Sequence, residues 1–251
     1  MNASTGDGAR TALPAHVLDN AAWASLSGPH SAFAELPGAA ARGASRAARY
    51  DPAVAPFAAL ADPADPRSWA DLAALTGPGR VASLAGVFTP PEGWETVAAV
   101  EGVQLVDTSL RAEPLPEAVR LGPHDVPEIL ALIELTKPGP FLPRTVELGT
   151  YLGIRHRGRL VAMAGERLRP PGWTEISAVC TRPGYRGRGL ATRLVRAVAA
   201  GIRERGEVPF LHTSAANTGA VRLYESIGFT VRRRPFFMAV RFPGNIPAKC
   251  T

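Results

Sequence analysis

A glycine- and arginine-rich loop lies between a predicted strand and a predicted amphipathic helix, and it narrows the folds open to this chain. The loop spans residues 182–189 and reads Arg-Pro-Gly-Tyr-Arg-Gly-Arg-Gly. Glycine lets the backbone take unusual dihedral angles and approach a ligand closely. The N–H groups of the first helical turn have no intrahelical partners, and with the helix dipole they favour a phosphate there. The pattern predicts a mixed α/β domain with an anion-binding loop.

Two common nucleotide loops do not fit this segment. A P-loop needs Gly-x4-Gly-Lys-Ser/Thr, and the dinucleotide fingerprint needs a third glycine where Thr192 stands. Glycine turns are also frequent in ordinary strand-to-helix connections, so the loop taken alone leaves a purely structural role open.

The elements around the loop alternate between strands and helices. The helix is predicted from about Gly189 to Arg205, because Leu190, Leu194, Val195, Val198 and Ile202 recur at helical spacing. The other elements predicted after residue 118 are strands over 119–121, 151–156, 159–168, 173–181, 208–213 and 229–240, and helices over 125–135, 144–148 and 218–226. This order is typical of a mixed α/β domain.

The first part of the chain is rich in Pro and Ala and has a weaker pattern. Helices are predicted over 13–26 and 66–75, and strands over 80–88 and 96–106. Residues 109–118 carry two prolines and are the best candidate for a linker. We therefore predict a partner domain over residues 1–115 and a catalytic domain over residues 116–251.

Two motifs in the second part resemble those of the GNAT superfamily of N-acetyltransferases. Arg186-x-x-Gly189-x-Ala191 matches the Arg/Gln-x-x-Gly-x-Gly/Ala motif, between a strand and a helix. Downstream, residues 217–229 contain Asn-x-x-Ala-x-x-Leu-Tyr-Glu-x-x-Gly-Phe, which is similar to a second family signature. The resemblance covers roughly residues 119–241. Residues 141–145 and 162–166 resemble the glycine-N-acyltransferase-like branch.

The resemblance implies a GNAT fold, which is a mixed, mostly antiparallel sheet flanked by helices, with a degenerate GNAT-like domain before it. It also implies acetyl-CoA as co-substrate. The turn amides and loop side chains would hold the pyrophosphate, the strand end would pair with the pantetheine arm, and Asn217 would lie near that arm. The implied cofactor-binding residues are Val179, Cys180, Thr181, Arg186, Gly187, Arg188, Gly189, Leu190, Ala191, Thr192 and Asn217.

The implied chemistry is direct attack of an amine on a thioester, which needs a base for the amine proton and an acid for the leaving thiolate. Tyr224 matches the family tyrosine that protonates the thiolate. Two residues compete for the base. Glu175 lies six residues before Thr181 on the same strand, and His212 lies five residues before Asn217. Each also has a structural alternative, and the sequence leaves the choice open.

Other residues carry less chemistry. Cys180 matches a position used through its backbone, so a covalent acyl intermediate on it is not expected. The histidines show no zinc-binding spacing, and no metal site is predicted. Arg232-Arg233-Arg234 could bind an acidic substrate or a cofactor phosphate, or could be a solvated strand edge.

Charge is divided unequally along the chain. Residues 1–150 hold 10 Lys and Arg against 17 Asp and Glu, whereas residues 151–251 hold 18 against 5. The basic half suggests an anionic ligand, for which the phosphates of coenzyme A are a specific candidate. Without a helix-turn-helix signal or an aromatic platform, we expect no nucleic-acid partner.

The expected protein is a cytoplasmic acyltransferase that acts on a small-molecule amine, as a monomer or homodimer. Two cysteines cannot form a disulfide framework, and the chain shows no signal peptide or membrane-spanning run. The alternative is a non-catalytic acyl-CoA sensor or partner-binding module that retains only the cofactor cleft.

Overall fold

The first part of the chain folds into short elements that lead into two longer strands. The computed structural model describes residues 16–38 and 44–242. Its first elements are 3-10 turns at Val17–Asn20 and Ser31–Phe33, helices α1 (Ala21–Leu26) and α2 (Pro66–Thr76), and strands β1 (Ala34–Glu35), β2 (Ala47–Tyr50), β3 (Ala58–Leu60), β4 (Val81–Gly86) and β5 (Glu95–Asp107). The helix predicted over 66–75 is confirmed, with Asp65 capping its N-terminus. Of the helix predicted over 13–26, residues 13–15 lie outside the described residues.

The second part follows the predicted order closely. Its elements are strands β6 (Val119–Leu121), β7 (Tyr151–His156), β8 (Arg159–Glu166), β9 (Trp173–Thr181), β10 (Val208–Ser214), β11 (Phe229–Arg233) and β12 (Phe236–Arg241), helices α3 (Val126–Thr136), α4 (Leu190–Glu204) and α5 (Thr218–Ser226), and 3-10 turns at Pro123–Asp125, Thr145–Leu148 and Pro183–Tyr185. The short helix predicted over 144–148 is one such turn.

One sheet of nine strands joins the two parts, and β1–β3 form a small sheet of their own in the described residues. The large sheet runs β4-β12-β5-β10-β9-β8-β7-β6, with β11 also on β5, and only β9 and β10 pair in parallel. The predicted α/β class with a mostly antiparallel sheet is confirmed.

The long strand β5 connects the two predicted domains. Its second half pairs with β10 on one edge and with β11 on the other, while its first half pairs with β12. In turn β12, near the end of the chain, pairs with β4. The predicted division at residues 115 and 116 falls in the connection between β5 and β6, and strands from both sides of it belong to the same nine-stranded sheet.

The strand predicted over 229–240 is interrupted. It divides into β11 and β12 at Arg234 and Pro235, because proline has no N–H to donate to the ladder. Both pieces follow the same edge of β5, and Gly102 donates its N–H to the Pro235 carbonyl across the break, at 2.7 Å.

Helix α4 covers one face of the large sheet through the predicted apolar positions. Leu194, Val195, Val198 and Ile202 are buried in a core that also holds Leu105 of β5. The opposite face, which carries Phe210 of β10, is covered by α1, β2 and Val54 from the first part of the chain. The two faces of β9 and β10 thus meet different parts of the chain. No helix of the described residues is long and apolar enough to cross a bilayer.

Candidate active site

Strands β9 and β10 separate at their C-terminal ends. They pair in parallel only from Trp173–Val208 to Ile176–Leu211, although β9 continues to Thr181 and β10 to Ser214. Beyond the last pair, the main-chain groups of 177–181 that face β10 have no strand partner in the described chain. The separation forms a V-shaped opening lined by backbone donors and acceptors.

A bulge in β9 lies next to this opening. Between Met163 and Gly165 of β8, the paired residues on β9 step from Cys180 to Ser177, so β9 carries one extra residue. Ala178 within the bulge has φ +53°, which is unusual for a residue other than glycine. A bulge re-aims the strand's peptide groups, here toward the opening.

The predicted phosphate loop follows directly from β9. Gly187 and Gly189 have φ of +75° and +72°, and Gly189 is the N-cap of α4. Leu190, Ala191 and Thr192 form the first turn of α4, whose N–H groups face outward at the loop. Arg186 and Arg188 are exposed and bond to loop carbonyls, Arg186 to Thr181 and Arg188 to Gly184. Positive charge and free helix donors meet at one place, which suits a pyrophosphate.

Replacing Gly189 by Ala should weaken both folding and cofactor binding. A Cβ at this positive φ costs roughly 1–2 kcal/mol, and the loop must distort to avoid it. Gly201→Ala is the matched control, since Gly201 lies inside α4 with open space around it and should stabilise by about 0.4–1 kcal/mol. Thermal unfolding and coenzyme A titration of both variants check this. Equal behaviour of the two would show that the loop conformation is not required.

Two buried polar side-chain atoms lie at the start of the loop. The Oγ1 of Thr181 and the Nε of Arg182 are buried and have no hydrogen-bond partner among the described residues. Three further buried atoms, in Ser68, Thr76 and Arg196, are likewise unpaired among the described residues, so the two beside the opening are compatible with a bound ligand but do not require one. The phosphate and amide oxygens of coenzyme A are acceptors of the right kind, and Thr181, Arg182 and the α4 N-terminus would hold them.

Glu175 is held by an arginine that directly follows the neighbouring strand β8. It is fully buried, and Arg167 donates to both of its carboxylate oxygens at 2.8 and 2.6 Å. Burial raises the pKa of the Glu175 carboxyl, but the Arg167 charge and hydrogen bonds, with a bond from His212, outweigh it and hold the pKa well below its usual range. A carboxylate so strongly stabilised is a poor proton acceptor, which argues against Glu175 as the base.

His212 comes directly after Leu211, which is the last residue of β10 that pairs with β9. It therefore stands at the vertex of the opening. Its Nδ1 lies 2.7 Å from the Glu175 carboxylate. Since an ionised carboxylate only accepts hydrogen bonds, Nδ1 must carry the proton and Nε2 the lone pair.

Gln104 of β5 supports the same tautomer. Its Oε1 accepts from Arg232 at 2.7 Å, and its Nε2 donates to the Leu18 carbonyl at 2.9 Å. The amide orientation is therefore fixed by partners other than His212, and Nε2 of Gln104 donates to Nε2 of His212 at 3.0 Å. The single Nε2 lone pair of His212 therefore accepts the Gln104 N–H, and a substrate proton can reach Nε2 only when this hydrogen bond is released.

Tyr224 and Cys180 are both buried, in different core clusters, and interact electrostatically. Tyr224 is buried in α5, and burial, with the nearby Cys180, raises the pKa of its phenol to about 12. Burial likewise raises the pKa of the Cys180 thiol to about 11. Cys180 is therefore a protonated and inert thiol.

The other predicted residues have clear structural roles as well. Asn217 is exposed and caps α5, with its Oδ1 accepting from the Ala220 N–H at 3.2 Å. Of the arginine triplet, Arg232 and Arg233 pair with Asp19, and Arg234 pairs with Glu101. Within residues 16–38 and 44–242, no group of three His, Cys, Asp or Glu side chains could hold a metal ion.

Sequence reasoning missed Arg167 and Gln104. Arg167 follows β8 and reaches Glu175, and Gln104 comes from the predicted partner domain. A signal for Gln104 existed, because it is a single polar residue inside the apolar run Val103–Val106 and is only 2% exposed. A buried amide in such a run requires partners.

In the comparisons with known proteins, a family model matches a stretch of the second part of the chain, and a solved structure matches nearly all of the chain. The model of the FR47-like protein family matches residues 151–238. Among solved structures, a GNAT-family protein from Novosphingobium aromaticivorans is 42% identical, with a TM-score of 0.79, over 91% of this chain and 99% of that one.

Two curated proteins are similar over a shorter stretch. N-alpha-acetyltransferase RimI of Mycobacterium tuberculosis is 39% identical over 90 residues, which are 34% of this chain and 56% of that protein. Mycothiol acetyltransferase of Thermobispora bispora is 42% identical over 83 residues, which are 33% of this chain and 27% of that protein. The match therefore spans about half, or less, of the length of these curated relatives.

Proposed function

The chain belongs to the GNAT family of acetyltransferases, and from that premise we propose that it transfers acetyl from acetyl-CoA to a primary amine of a small molecule or amino acid. The observation that carries the proposal is the V-shaped opening between β9 and β10, which ends in the glycine loop and has His212 at its vertex. As part of the same proposal, the protein is a cytoplasmic monomer or homodimer related to the glycine-N-acyltransferase-like branch.

His212 is the proposed base. At neutral pH an alkylamine is mostly protonated, so a group in the site must take a proton before or during attack. The Nε2 lone pair of His212 can do so once it releases the Gln104 N–H, and the Glu175 carboxylate would stabilise the imidazolium that results. Glu175 therefore acts as a positioning residue. A cavity of about 30 Å³ bordered by Gln104 and His212 has room for one water, through which the proton can pass.

Tyr224 is the proposed acid. Acetyl-CoA, when bound, supplies an activated acetyl thioester, and the departing sulfur needs a proton or a strong hydrogen bond. The Tyr224 phenol is protonated at neutral pH because its pKa is about 12. Burial of the departing sulfur would likewise raise its pKa, as burial does for the Cys180 thiol, which favours its protonation by Tyr224.

The loop and strand residues hold the co-substrate in this proposal. Backbone groups of 179–181 pair with the pantetheine arm, residues 186–192 surround the pyrophosphate, and Asn217 lies beside the arm. These roles use mainly backbone atoms, so the side chains at many of these positions can vary.

Release of free thiol from acetyl-CoA, measured with a panel of amines, tests the proposal. We expect turnover with at least one small amine, and a drop of about a hundredfold or more in kcat for Tyr224→Phe with little change in coenzyme A affinity. Phenylalanine keeps the packing against Phe229, so the folded state should persist. Unchanged kcat would remove Tyr224 from the acid role. Coenzyme A binding without turnover of any acceptor would favour the alternative, a non-catalytic acyl-CoA sensor.

A further inference from the structure

Two adjoining cavities lie between the first part of the chain and β4. Their volumes are about 30 and about 260 Å³, and they share five lining residues, Asp19, Ala85, Gly86, Val87 and Arg233. The smaller cavity is bordered by His212, whereas the larger one continues past Leu60, Leu84 and Phe88. The two cavities together are called the channel below: its smaller part borders the proposed base, and its larger part has mostly apolar walls.

The shared part of the channel has a surplus of positive charge. Asp19 pairs with Arg232 at 2.6 Å and with Arg233 at 2.8 Å, so two guanidinium groups share one carboxylate. Arg232 is also committed to Gln104. Arg233 borders both cavities, and its five N–H donors can serve Asp19 and a second carboxylate together. An anionic group in the channel would satisfy the surplus charge.

We infer that the acceptor is a free α-amino acid with an apolar side chain. This inference rests on the proposed function. The smaller cavity holds the relay water beside His212, and Arg233 borders both cavities, so an acceptor in the larger cavity can pair its carboxylate with Arg233 while an amine on the same α-carbon faces that water. The apolar walls of the larger cavity then receive the side chain. The carboxylate pairs with Arg233 and directs the amine toward His212.

The balance of the transfer follows from these positions. The amino nitrogen forms a bond to the acetyl carbon as the carbon–sulfur bond breaks. The ammonium form first loses one proton to solvent. As the neutral amine attacks, one more of its protons passes through the relay water to His212 Nε2, which releases the Gln104 N–H to accept it, and the sulfur takes the Tyr224 proton. The imidazolium and the tyrosinate then return to their starting forms by proton exchange with solvent. The products are an N-acetylamino acid, which keeps its carboxylate on Arg233, and free coenzyme A.

Three leucine-related acceptors distinguish the contribution of the carboxylate to recognition from that of the side chain. Leucine, leucinamide and 3-methylbutylamine share the apolar group, but only leucine carries a carboxylate. With wild type we expect kcat/KM for leucine to exceed that for the other two by about tenfold or more, because a charge-assisted bidentate pair is lost without the carboxylate. Glycine should be a poorer acceptor than leucine because it leaves the larger cavity empty.

Arg233→Gln should remove this preference. Its kcat/KM should fall about tenfold or more for leucine and stay within about threefold for leucinamide and 3-methylbutylamine, and Arg233→Lys should restore part of the loss. Arg234→Gln is the matched control, since Arg234 is exposed, pairs with Glu101 and does not border the channel. Thermal unfolding of each variant separates a lost contact from a lost fold.

The outcomes distinguish this inference from the function on which it rests. Thiol release with all three acceptors at equal kcat/KM would overturn the amino-acid acceptor and leave the acetyltransferase proposal standing. If no amine is turned over, the proposed function fails, and calorimetric titration of leucine in the presence of coenzyme A decides the site. Binding that is lost in Arg233→Gln supports the site, and no binding to wild type overturns it.

Discussion

A chain that begins at residue 116 will not fold into a stable protein. Removing residues 1–115 deletes β5, which lies between β10 and β11 and contributes Val103 and Leu105 to the core beneath α4. Each of these side chains is at most 1% exposed. Loss of such a core side chain costs about 2–5 kcal/mol, and the loss of the central strand adds unpaired backbone on β10 and β11. The two side chains alone account for about 4–10 kcal/mol, which is comparable with the roughly 5–15 kcal/mol that stabilises a typical domain.

Circular dichroism and size-exclusion chromatography of the 116–251 fragment measure this directly. We expect an aggregated or unfolded fragment without cooperative thermal unfolding. Co-expression with the 1–115 fragment is the control, because β5 can then still insert and restore the sheet. If the 116–251 fragment is soluble, unfolds cooperatively and retains full activity, the shared strand is dispensable and the two parts are independent domains.

Local patterns predicted the elements of the second part well. Strand 173–181 and helix 218–226 match the structure residue for residue, because alternation, helical spacing and a capping Asn217 act over short distances. The loop conformation also followed from its glycines. These signals depend on near neighbours and are therefore visible in a single sequence.

The exchange of strands between the two parts was not predictable in the same way. The valine-rich run of β5 indicates a strand but does not indicate which strands pair with it. Its first seven residues are exposed and the next four are buried, a change that arises only from the partners on each side. The linker prediction over 109–118 identified a real break in regular structure, but the sheet is continuous across it.

The polar network around His212 was also beyond local reasoning. Glu175 and His212 entered as competing bases, and the structure connects them by one hydrogen bond. Their other partners, Arg167 and Gln104, depend on contacts between strands that are far apart in sequence. In place of a choice between two bases we therefore propose that Glu175 holds the negative charge and that His212 exchanges the proton.

His212→Gln is expected to have the largest effect of any single substitution on the chemical step. Loss of a positioned general base typically costs about a hundredfold to ten-thousandfold in rate. We expect kcat/KM for the amine to fall by this amount near neutral pH, with unchanged coenzyme A affinity. The decline of kcat/KM toward acid pH that reports the base should disappear in the variant. A variant that keeps both the rate and the pH profile of wild type would exclude His212 as the base.

Glu175→Gln should act differently, through stability as well as rate. It leaves the buried Arg167 without its counter-charge, which costs about 3–5 kcal/mol in typical proteins. Because the folded-state pKa of Glu175 is lowered, its ion pair stabilises wild type above the unfolded pKa of about 4.3, and this stability is lost as pH falls below that value. Denaturant unfolding of wild type should therefore weaken below about pH 4 more than that of the variant. A variant as stable as wild type at pH 7 would contradict this account.

A double variant separates the positioning role of Glu175 from its structural role. Arg167→Met combined with Glu175→Gln removes both buried charges, and such replacements are often neutral for stability. The remaining amide oxygen can still accept the Nδ1–H of His212, but it no longer stabilises the protonated ring. We therefore expect stability to recover while kcat stays lowered about tenfold or more with KM for acetyl-CoA unchanged. Full recovery of kcat together with stability would show that Glu175 serves the fold alone and that His212 works without it.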